Sequence, residues 1–429
     1  MLDVKFIREN PDIVRKALQH RGVDIKLDEF LRLDKERRNQ LAQVDALKHK
    51  RNTSSDKIAK LKQAGEDARE LMSDMKLLSQ KIKQIDANVG EIDKKIANFV
   101  INFPNIPHNS IPVGPNAQSN KIIKEWGKLP NFDFNPLSHI GIGEKLNILD
   151  FQRSAKLSGS GFSLFMGSGA RLVRALIDFM LDLHTKKHGY KEVWPPALVN
   201  RASMTGTGQL PKLEEDMYRV KDDDLFLIPT AEVPVTNIHR DEVLNEEELP
   251  IYYTAYTPCF RREAGSYGKE TKGLSRVHQF NKVEMVKFVK PSTSYDELEK
   301  LLNDAEDVLQ LLKLPYRILL LSTGDISFAA SKCYDIELYA PGTKAWLEVS
   351  SCSNFEDFQA RRANIRYRDA DTGKLSYVHT LNGSGVAFAR LVIALLENYQ
   401  RKDGSVLIPK VLQPYMGGLK LISQPKKSK

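Results

Sequence analysis

Apolar residues between Leu71 and Phe99 recur at alternating steps of four and three. The positions are Leu71, Met75, Leu78, Ile82, Ile85, Val89, Ile92, Ile96 and Phe99. This spacing is the heptad seam of a coiled coil. An upstream stretch, roughly Asp28 to Lys62, carries a second set of apolar positions, and Gly65 lies between the two. The pattern predicts a long antiparallel helical hairpin over about residues 28–100.

The segment from Asn102 to Pro115 interrupts the helical pattern with prolines and small polar residues, a composition typical of linkers. Beyond it, strand-like and helical stretches follow without the regular order of a parallel sheet. We therefore expect an α+β fold with two domains. Residues 1–115 would form an N-terminal domain with the helical coiled-coil arm, and residues 116–429 a larger domain with an antiparallel β-sheet flanked by helices.

Two strand-like segments, Thr254 to Glu263 and Val277 to Phe288, flank a loop that contains glycines. They predict an antiparallel pair of strands in which Arg261 and Glu263 leave the same face. The planar fork of arginine suits a phosphate or a carboxylate, a glutamate can accept from an exocyclic amine, and the ring of Phe280 could stack on a purine. For an isolated pair of this kind, a cross-strand salt bridge is the better interpretation.

A second cluster follows near the C-terminus, where Leu381 to Asn398 reads as a small-residue turn followed by a helix with an apolar stripe. Gly383 and Gly385 would let the backbone approach a flat ligand, and the helix would carry Arg390 toward the same space. Taken alone, such a turn is more often structural than nucleotide-binding. Together with the arginine-containing strand pair, it indicates a nucleotide site.

Composition changes this picture little. The 429 residues are 41% hydrophobic, enough for more than one buried core. A net charge of +9 suits a polyanionic partner without proving one. Cys259, Cys333 and Cys352 are odd in number and lack zinc-site spacing, so we expect a reducing compartment. No apolar run approaches the length of a membrane span, and we expect neither a span nor a signal peptide.

Three motifs resemble those of the class II aminoacyl-tRNA synthetases. Phe260–Glu263 with His278–Phe280 is similar to the second motif, Gly383–Gly385 with Arg390 to the third, and Gly189–Val199 to the first, which lies at a dimer interface in that class. Thr230–Glu232, Glu348–Ser351 and Thr380–Ser384 are similar to elements of the seryl branch. The chain therefore resembles the bacterial-type seryl-tRNA synthetases, although Ala387 and Ala389 stand where the general third motif has a glycine and a glutamate.

The resemblance implies a serine–tRNA ligase of the cytoplasm that acts as a homodimer. It would activate L-serine with ATP and Mg²⁺ to give seryl-adenylate, and then transfer the seryl group to tRNA(Ser). The tRNA for selenocysteine, tRNA(Sec), would be a second substrate if the organism has one. Neither step needs a nucleophile from the protein, so catalysis would depend on alignment of the reactants and on charge stabilisation.

The resemblance also implies the roles of individual residues. Arg261 and Arg390 are the expected catalytic residues. The expected ATP-binding set is Arg261, Arg262, Glu263, Arg276, Phe280, Glu348, Val349, Ser350, Ser351 and Arg390, and Glu348 and Ser351 would bind Mg²⁺. The expected serine-binding set is Thr230, Ala231, Glu232, Arg261, Glu284, Asn382 and Ser384. Taken singly, most of these would pass as ordinary strand or loop residues.

The predicted arm carries a local surplus of positive charge between Lys35 and Arg51. By itself this is most simply a solvated helix face. The resemblance implies instead that the arm binds the long variable arm of tRNA through its phosphates. Lys269 and Lys272 are candidate contacts to the acceptor end. Two other classes are less favoured. A relative that passes an amino acid to a carrier protein would lack the long arm, and a tRNA-binding protein without catalysis would be expected to have lost Arg261, Glu263, Glu348 or Arg390, all of which are present.

Overall fold

The structure is a computed structural model that describes residues 1–264 and 272–424. Two compact units divide the chain between Pro104 and Asn105, with Met1 counted in the larger one. In the described residues, no helix has both the length and the apolar character that crossing a membrane requires.

The smaller unit consists of four helices. They are α1 (Val4–Glu9), α2 (Pro11–His20), α3 (Leu27–Ala64) and α4 (Arg69–Asn102). The seam between α3 and α4 buries Val44, Ile82, Ile85 and Val89. Helix α3 ends at Ala64 and is capped by Gly65, whose positive φ of 75° is the left-handed conformation that glycine adopts without strain. The predicted helical hairpin is therefore present.

The larger unit is built on a sheet of eight strands in the order β1-β9-β10-β11-β14-β8-β7-β2. Its strands are β1 (Lys121–Trp126), β2 (Lys191–Glu192), β7 (Ile251–Phe260), β8 (Gln279–Val289), β9 (Tyr316–Leu320), β10 (Lys332–Ala340), β11 (Ala345–Asn354) and β14 (His379–Ala387). All neighbours are antiparallel except β2 and β7. Because the central strands are consecutive neighbours, side chains from β11, β14, β8 and β7 share one face.

Helices and small sheets surround this sheet. The helices are α5 (His139–Leu146), α6 (Phe151–Ser158), α7 (Ser168–Lys186), α8 (Arg201–Thr207), α9 (Glu232–Thr236), α10 (Ser294–Leu311), α11 (Phe358–Ala363) and α12 (Phe388–Asn398). The remaining strands are β3 (Leu198–Asn200), β4 (Arg219–Val220), β5 (Leu225–Leu227), β6 (Val243–Asn245), β12 (Arg366–Arg368), β13 (Leu375–Tyr377), β15 (Val406–Leu407) and β16 (Leu421–Ile422). The main core lies between the sheet and helices α7, α10 and α12.

Two local predictions were wrong. Strand β7 ends at Phe260, so Arg261 and Glu263 follow the strand and do not share a strand face. Gly383 and Gly385 belong to strand β14, not to a turn. A Cβ atom on Gly385 would lie 2.7 Å from the Nε2 atom of His184. The small residues there allow close packing inside the protein, not the approach of a ligand.

The boundary between the two units falls inside the segment from Asn102 to Pro115 that was predicted as a linker. Asn102 is the last residue of α4, and the chain from Asn105 onward belongs to the larger unit. The Asn105 amide donates to the carbonyl oxygens of Ala329 and Phe355 at 2.9 and 2.8 Å. The prolines prevent the helix from continuing through this segment. The hydrogen bonds of Asn105 join the start of the segment's second part to the larger unit.

Candidate active site

A cavity of about 390 Å³ opens on the shared face of β8, β14 and β11, beside the segment that follows β7. It brings together most of the residues predicted from the sequence. They are Thr230, Glu232, Arg261, Glu263, Arg276, Phe280, Glu284, Glu348, Val349, Ser350, Ser351, Asn382, Ser384 and Arg390. The two predicted catalytic arginines thus face one common space, although one follows β7 and the other lies on α12.

Two predicted residues do not line this cavity. Arg262 lines a separate pocket with Tyr218, Arg219 and His278, because consecutive residues of an extended chain point in opposite directions. Ala231 is fully buried in the apolar cluster beneath α9. Of the two loop lysines, Lys269 lies outside the described residues and Lys272 is exposed.

The Arg261 side of the cavity combines a cation with an aromatic ring. The guanidinium carbon of Arg261 lies 5.2 Å from the centroid of the Phe280 ring, and its Nε donates to the carbonyl oxygen of Pro229 at 3.4 Å. Nearby, Arg276 donates to Glu263 at 3.0 Å. Glu263 has a positive φ of 52°, an uncommon conformation for a residue other than glycine. These residues present both signs of charge and a flat apolar surface.

Arg390 is held by backbone oxygens from two other segments. Its Nη1 donates to the carbonyl oxygen of Glu348 at 2.8 Å, and its Nε donates to that of Ser275 at 3.4 Å. The Glu348 carboxylate lies 3.4 Å from the same guanidinium. Because the Arg390 side chain is about 28% exposed, its charge remains accessible from the cavity.

Another part of the cavity, here called its acidic end, is buried around Glu232 and Glu284. Thr230 donates its hydroxyl to Glu284 at 3.0 Å and accepts from Lys282 at 2.8 Å, while Lys282 also pairs with Glu284. Ser384 lies directly opposite Glu284 in the register of β14 and β8. This arrangement offers a compact set of hydrogen-bonding groups that suits a small polar ligand.

Glu232 is the most perturbed carboxyl group of the cavity. Burial, followed by the nearby negative charge of Glu284, raises its pKa from 4.5 to about 7. Gln359 donates to Glu232 at 2.7 Å, and this hydrogen bond acts in the opposite direction. The group can therefore change its charge near neutral pH.

Glu348 and Ser351 fit a magnesium ion only in part. Both offer hard oxygen atoms at the cavity wall. In the described part of the chain, no three histidine, cysteine or acidic side chains cluster as a metal site. Burial and the neighbouring Glu348 raise the pKa of Asp335 well above its ordinary value. Two protein ligands are typical of Mg²⁺ sites that are completed by substrate phosphates and water.

Comparisons with known proteins agree with this geometry. The family model for the tRNA synthetase class II core domain (G, H, P, S and T) matches residues 217–399, and that for the seryl-tRNA synthetase N-terminal domain matches residues 1–107. The serine–tRNA ligase of Thermodesulfovibrio yellowstonii is 56% identical over 420 residues, which cover 97% of this chain and 99% of that protein. The chain belongs to the seryl-tRNA synthetase family.

Solved structures of seryl-tRNA synthetases extend the match. The enzyme from Pyrococcus horikoshii, complexed with ATP, is 40% identical with a TM-score of 0.95 and covers 99% of this chain and 100% of its own. The cytoplasmic enzyme from Naegleria fowleri, in complex with AMP, is 28% identical with a TM-score of 0.90, covering 99% of both chains. The predicted fold class and family are confirmed, and the chain is an aminoacyl-tRNA synthetase.

Sequence reasoning assigned no role to Lys282, which lines this seryl-tRNA synthetase cavity, or to Gln359, which contacts one of its carboxyl groups. Lys282 is almost fully buried and pairs with Glu284, yet it was not assigned a role. Gln359 lies on α11 and contacts Glu232 from the far side. The alternation along β8 places Lys282 on the same face as Phe280 and Glu284 and could have identified it. No comparable sequence pattern marks Gln359.

Proposed function

We propose that this protein activates L-serine with ATP and transfers the seryl group to tRNA(Ser). The observation that carries the proposal is the one cavity that Arg261 and Arg390 line together with the buried carboxyl groups of Glu232 and Glu284. ATP and serine must meet so that a serine carboxylate oxygen attacks the α-phosphorus atom and pyrophosphate leaves. A site that brings both arginines and buried carboxylates to one space suits that alignment.

In this proposal the arginines hold the reacting groups. Arg261 binds the α-phosphate and the serine carboxylate, because its fork donates two parallel hydrogen bonds. Phe280 and Arg390 lie on the two faces of adenine. Mg²⁺, held by Glu348 and Ser351, would offset the negative charge of the phosphates. In the second step, a ribose hydroxyl of tRNA attacks the seryl carbonyl carbon, and AMP leaves.

Binding of ATP requires one rearrangement. Arg276 and Glu263 form an ion pair with an N–O distance of 3.0 Å. We assign Glu263 to the adenine amine and Arg276 to the β- and γ-phosphates. When the ion pair opens, Arg276 gains the negative charge of the phosphates and Glu263 gains a hydrogen bond from the amine.

Serine would occupy the acidic end. Its ammonium group suits Glu232 and Glu284, and its hydroxyl suits Thr230, Asn382 and Ser384. A pocket whose polar groups pair with a hydroxyl rejects alanine strongly, because those groups would be left unsatisfied. Threonine keeps the hydroxyl and must be excluded by its extra methyl group, which gives weaker discrimination. We therefore expect alanine to be refused more firmly than threonine.

The assembly and partners complete the proposal. The first-motif region presents Trp194 and Leu198, which are 76% and 42% exposed, beside Pro196 in an apolar groove. Exposed apolar surface of this kind favours a homodimer. We assign the cationic flank of α3 to the tRNA variable arm. The cytoplasm and the use of tRNA(Sec) as a second substrate remain predictions from the sequence resemblance.

Amino-acid-dependent exchange of pyrophosphate into ATP tests the proposal, with each standard amino acid supplied in turn. Serine should support exchange, threonine weakly and alanine least. Transfer of the seryl group to tRNA(Ser) should follow with the same protein. Exchange without transfer to tRNA would favour a carrier-protein ligase, and binding of tRNA without exchange would favour a non-catalytic protein. Equal exchange with alanine and serine would contradict the proposed pocket.

A further inference from the structure

His139, the first residue of α5, is almost fully buried beside the chain that returns from the loop after β7. Its Nε2 atom accepts a hydrogen bond from the backbone N–H of Leu274 at 3.1 Å. The approach is close, because a Cβ atom on Gly273 would lie 2.2 Å from the same Nε2. Gly273 has a φ of 70°, so both its conformation and its lack of a side chain are needed here.

The other ring nitrogen fixes the orientation of His139. Since Nε2 accepts, Nδ1 carries the proton and donates to Glu397 Oε1 at 3.1 Å. Glu397 is fully buried in the last turn of α12. It also accepts from the backbone N–H of His139 at 2.9 Å and from that of Thr343 at 3.0 Å. The carboxylate therefore links α5, α12 and the turn after β10.

The anchored backbone leads directly to two cavity arginines. Ser275 follows Leu274, and its carbonyl oxygen accepts from Arg390 Nε at 3.4 Å. Arg276 comes next and reaches Glu263. Thus the Glu397–His139–Leu274 chain of hydrogen bonds connects the far end of α12 to the segment that carries Arg276 and supports Arg390. None of its three members lies in the serine end of the cavity.

We propose that His139 is a positioning residue for ATP, acting through the backbone of Leu274 to set the place of Arg276. The inference rests on the proposed function, in which Arg276 binds the β- and γ-phosphates. Loss of the Leu274 hydrogen bond lets this segment shift and weakens the binding of ATP. The serine end of the cavity is untouched, so the effect is confined to the nucleotide.

Two substitutions separate the two hydrogen bonds of His139. The side-chain amide of His139→Gln reaches the position of Nε2 and can accept from Leu274. The amide of His139→Asn reaches the position of Nδ1 and can donate to Glu397, but it cannot reach Leu274. Both remove a buried ring and should destabilise the fold similarly. His188→Gln is the matched control, because His188 is a buried histidine paired with Asp307 outside the cavity.

The measurement is serine-dependent pyrophosphate exchange with ATP and serine varied separately. His139→Asn should raise the KM for ATP about tenfold, the size of one lost hydrogen bond, and leave the KM for serine near that of the parent. His139→Gln and His188→Gln should both retain the parental KM for ATP. In an Arg276→Ala background, His139→Asn should raise the KM for ATP by a smaller factor than it does alone, because only the support of Arg390 through Ser275 is left to be disturbed.

The measurements distinguish a failure of the proposed function from a failure of the positioning role of His139. A parent protein without serine-dependent exchange would overturn the proposed function itself. An active parent with equal effects of His139→Asn and His139→Gln, or equal rises in both KM values, would overturn the positioning role. If His139→Asn does not fold, Glu397→Gln replaces it, since it removes the acceptor for Thr343 and the charge that orients His139. An unchanged KM for ATP in that variant would count against the inference.

Discussion

The helical arm and the cavity hold their charges in different ways. On the arm, ion pairs such as Lys48–Asp86, with an N–O distance of 3.6 Å, have both side chains nearly half exposed. In the cavity, Glu284 and Lys282 are almost fully buried and share Thr230 as a hydrogen-bonding partner. Exposed charges are screened by salt and act almost independently. Buried charges depend on each partner, so a single change leaves an uncompensated group.

This difference predicts separable functions. Changes to the cavity should abolish activation of serine, whereas changes to the arm should affect only the step that involves tRNA.

The largest effect is expected at the cavity arginines. Arg261→Ala should lower the rate of pyrophosphate exchange by about a thousandfold, the size expected for the loss of one charge-stabilising donor at a reacting centre. Arg390→Ala should lower it by a smaller factor, because Arg390 is assigned to adenine. Binding of tRNA, measured by filter retention, should stay near the parental value.

Arg262→Ala is the control for that experiment. Arg262 is the neighbour of Arg261 in the chain but lines a different pocket. It should retain exchange within a few-fold of the parent. Comparable losses in all three variants would mean that the cavity does not separate Arg261 from Arg262, and the assignment of the site would be wrong.

A smaller and more selective effect is expected on the arm. Lys35 and Lys50 are exposed on α3, form no ion pair with any described residue, and lie on the cationic flank. Changing both to glutamine should raise the KM for tRNA about tenfold near physiological salt and reduce the slope of log K against log salt by about two, one unit for each phosphate contact. Pyrophosphate exchange should be unchanged.

The matched control on the arm is Lys94→Gln. Lys94 is an exposed lysine of α4 that is already paired with Glu91 at 2.7 Å. Its change should have little effect on either reaction. A lower rate of pyrophosphate exchange in the variant with both Lys35 and Lys50 changed would mean that the arm also affects activation of serine. The contrast between arm and cavity would then be wrong.

The two regions also differ in how far the sequence predicts them. The arm follows from a local repeat: every predicted seam position from Ile82 to Ile96 is buried, because helix geometry returns each seam residue to the same face. The first positions, Leu71 and Met75, are only partly covered. The repeat predicts which face packs, but it does not predict how tightly the end of the hairpin closes.

The cavity depends on contacts that no local pattern contains. Arg261 and Glu263 were assigned to a strand that ends before them, and the glycines of β14 were read as a turn. The resemblance still placed most of its predicted residues in the cavity, since motifs preserve residue order. The partners Gln359 and His139 were missed, because their roles arise from the packing of α11 and α5 against distant segments.

A pH experiment examines the buried charges of the cavity. The pKa of Glu232 is raised to about 7, so the carboxylate is increasingly protonated as the pH falls below 7. The KM for serine should then rise about tenfold per pH unit below the pKa, since the ammonium group loses its anion. The KM for ATP should change little. Glu232→Gln should have a raised KM for serine that no longer depends on pH over this range.

The Glu232 carboxyl group also makes the stability of the fold depend on pH, and here protonation is favourable. Because its pKa is higher in the folded state than the ordinary 4.5, its contribution to stability is present below pH 4.5 and is lost as the pH rises through 7. The free energy of unfolding should therefore fall less steeply with pH in Glu232→Gln than in the parent, measured by urea denaturation. An identical pH dependence in the two proteins would contradict the raised pKa.

The smallest predicted effect concerns the packing of the arm. Ile85 is 8% exposed in the seam between α3 and α4, whereas Leu77 on the same helix is 61% exposed. Ile85→Val should lower the stability of the smaller unit by about 1 kcal/mol, because one buried methylene group is lost, whereas Leu77→Ala should change it by less than about 0.5 kcal/mol. Calorimetry should show the shift in the transition of the smaller unit alone. A parallel loss of pyrophosphate exchange in Ile85→Val would mean that the packing of the arm controls the cavity. The arm and the cavity would then not have separate functions, and the conclusion from the way each region holds its charges would be wrong.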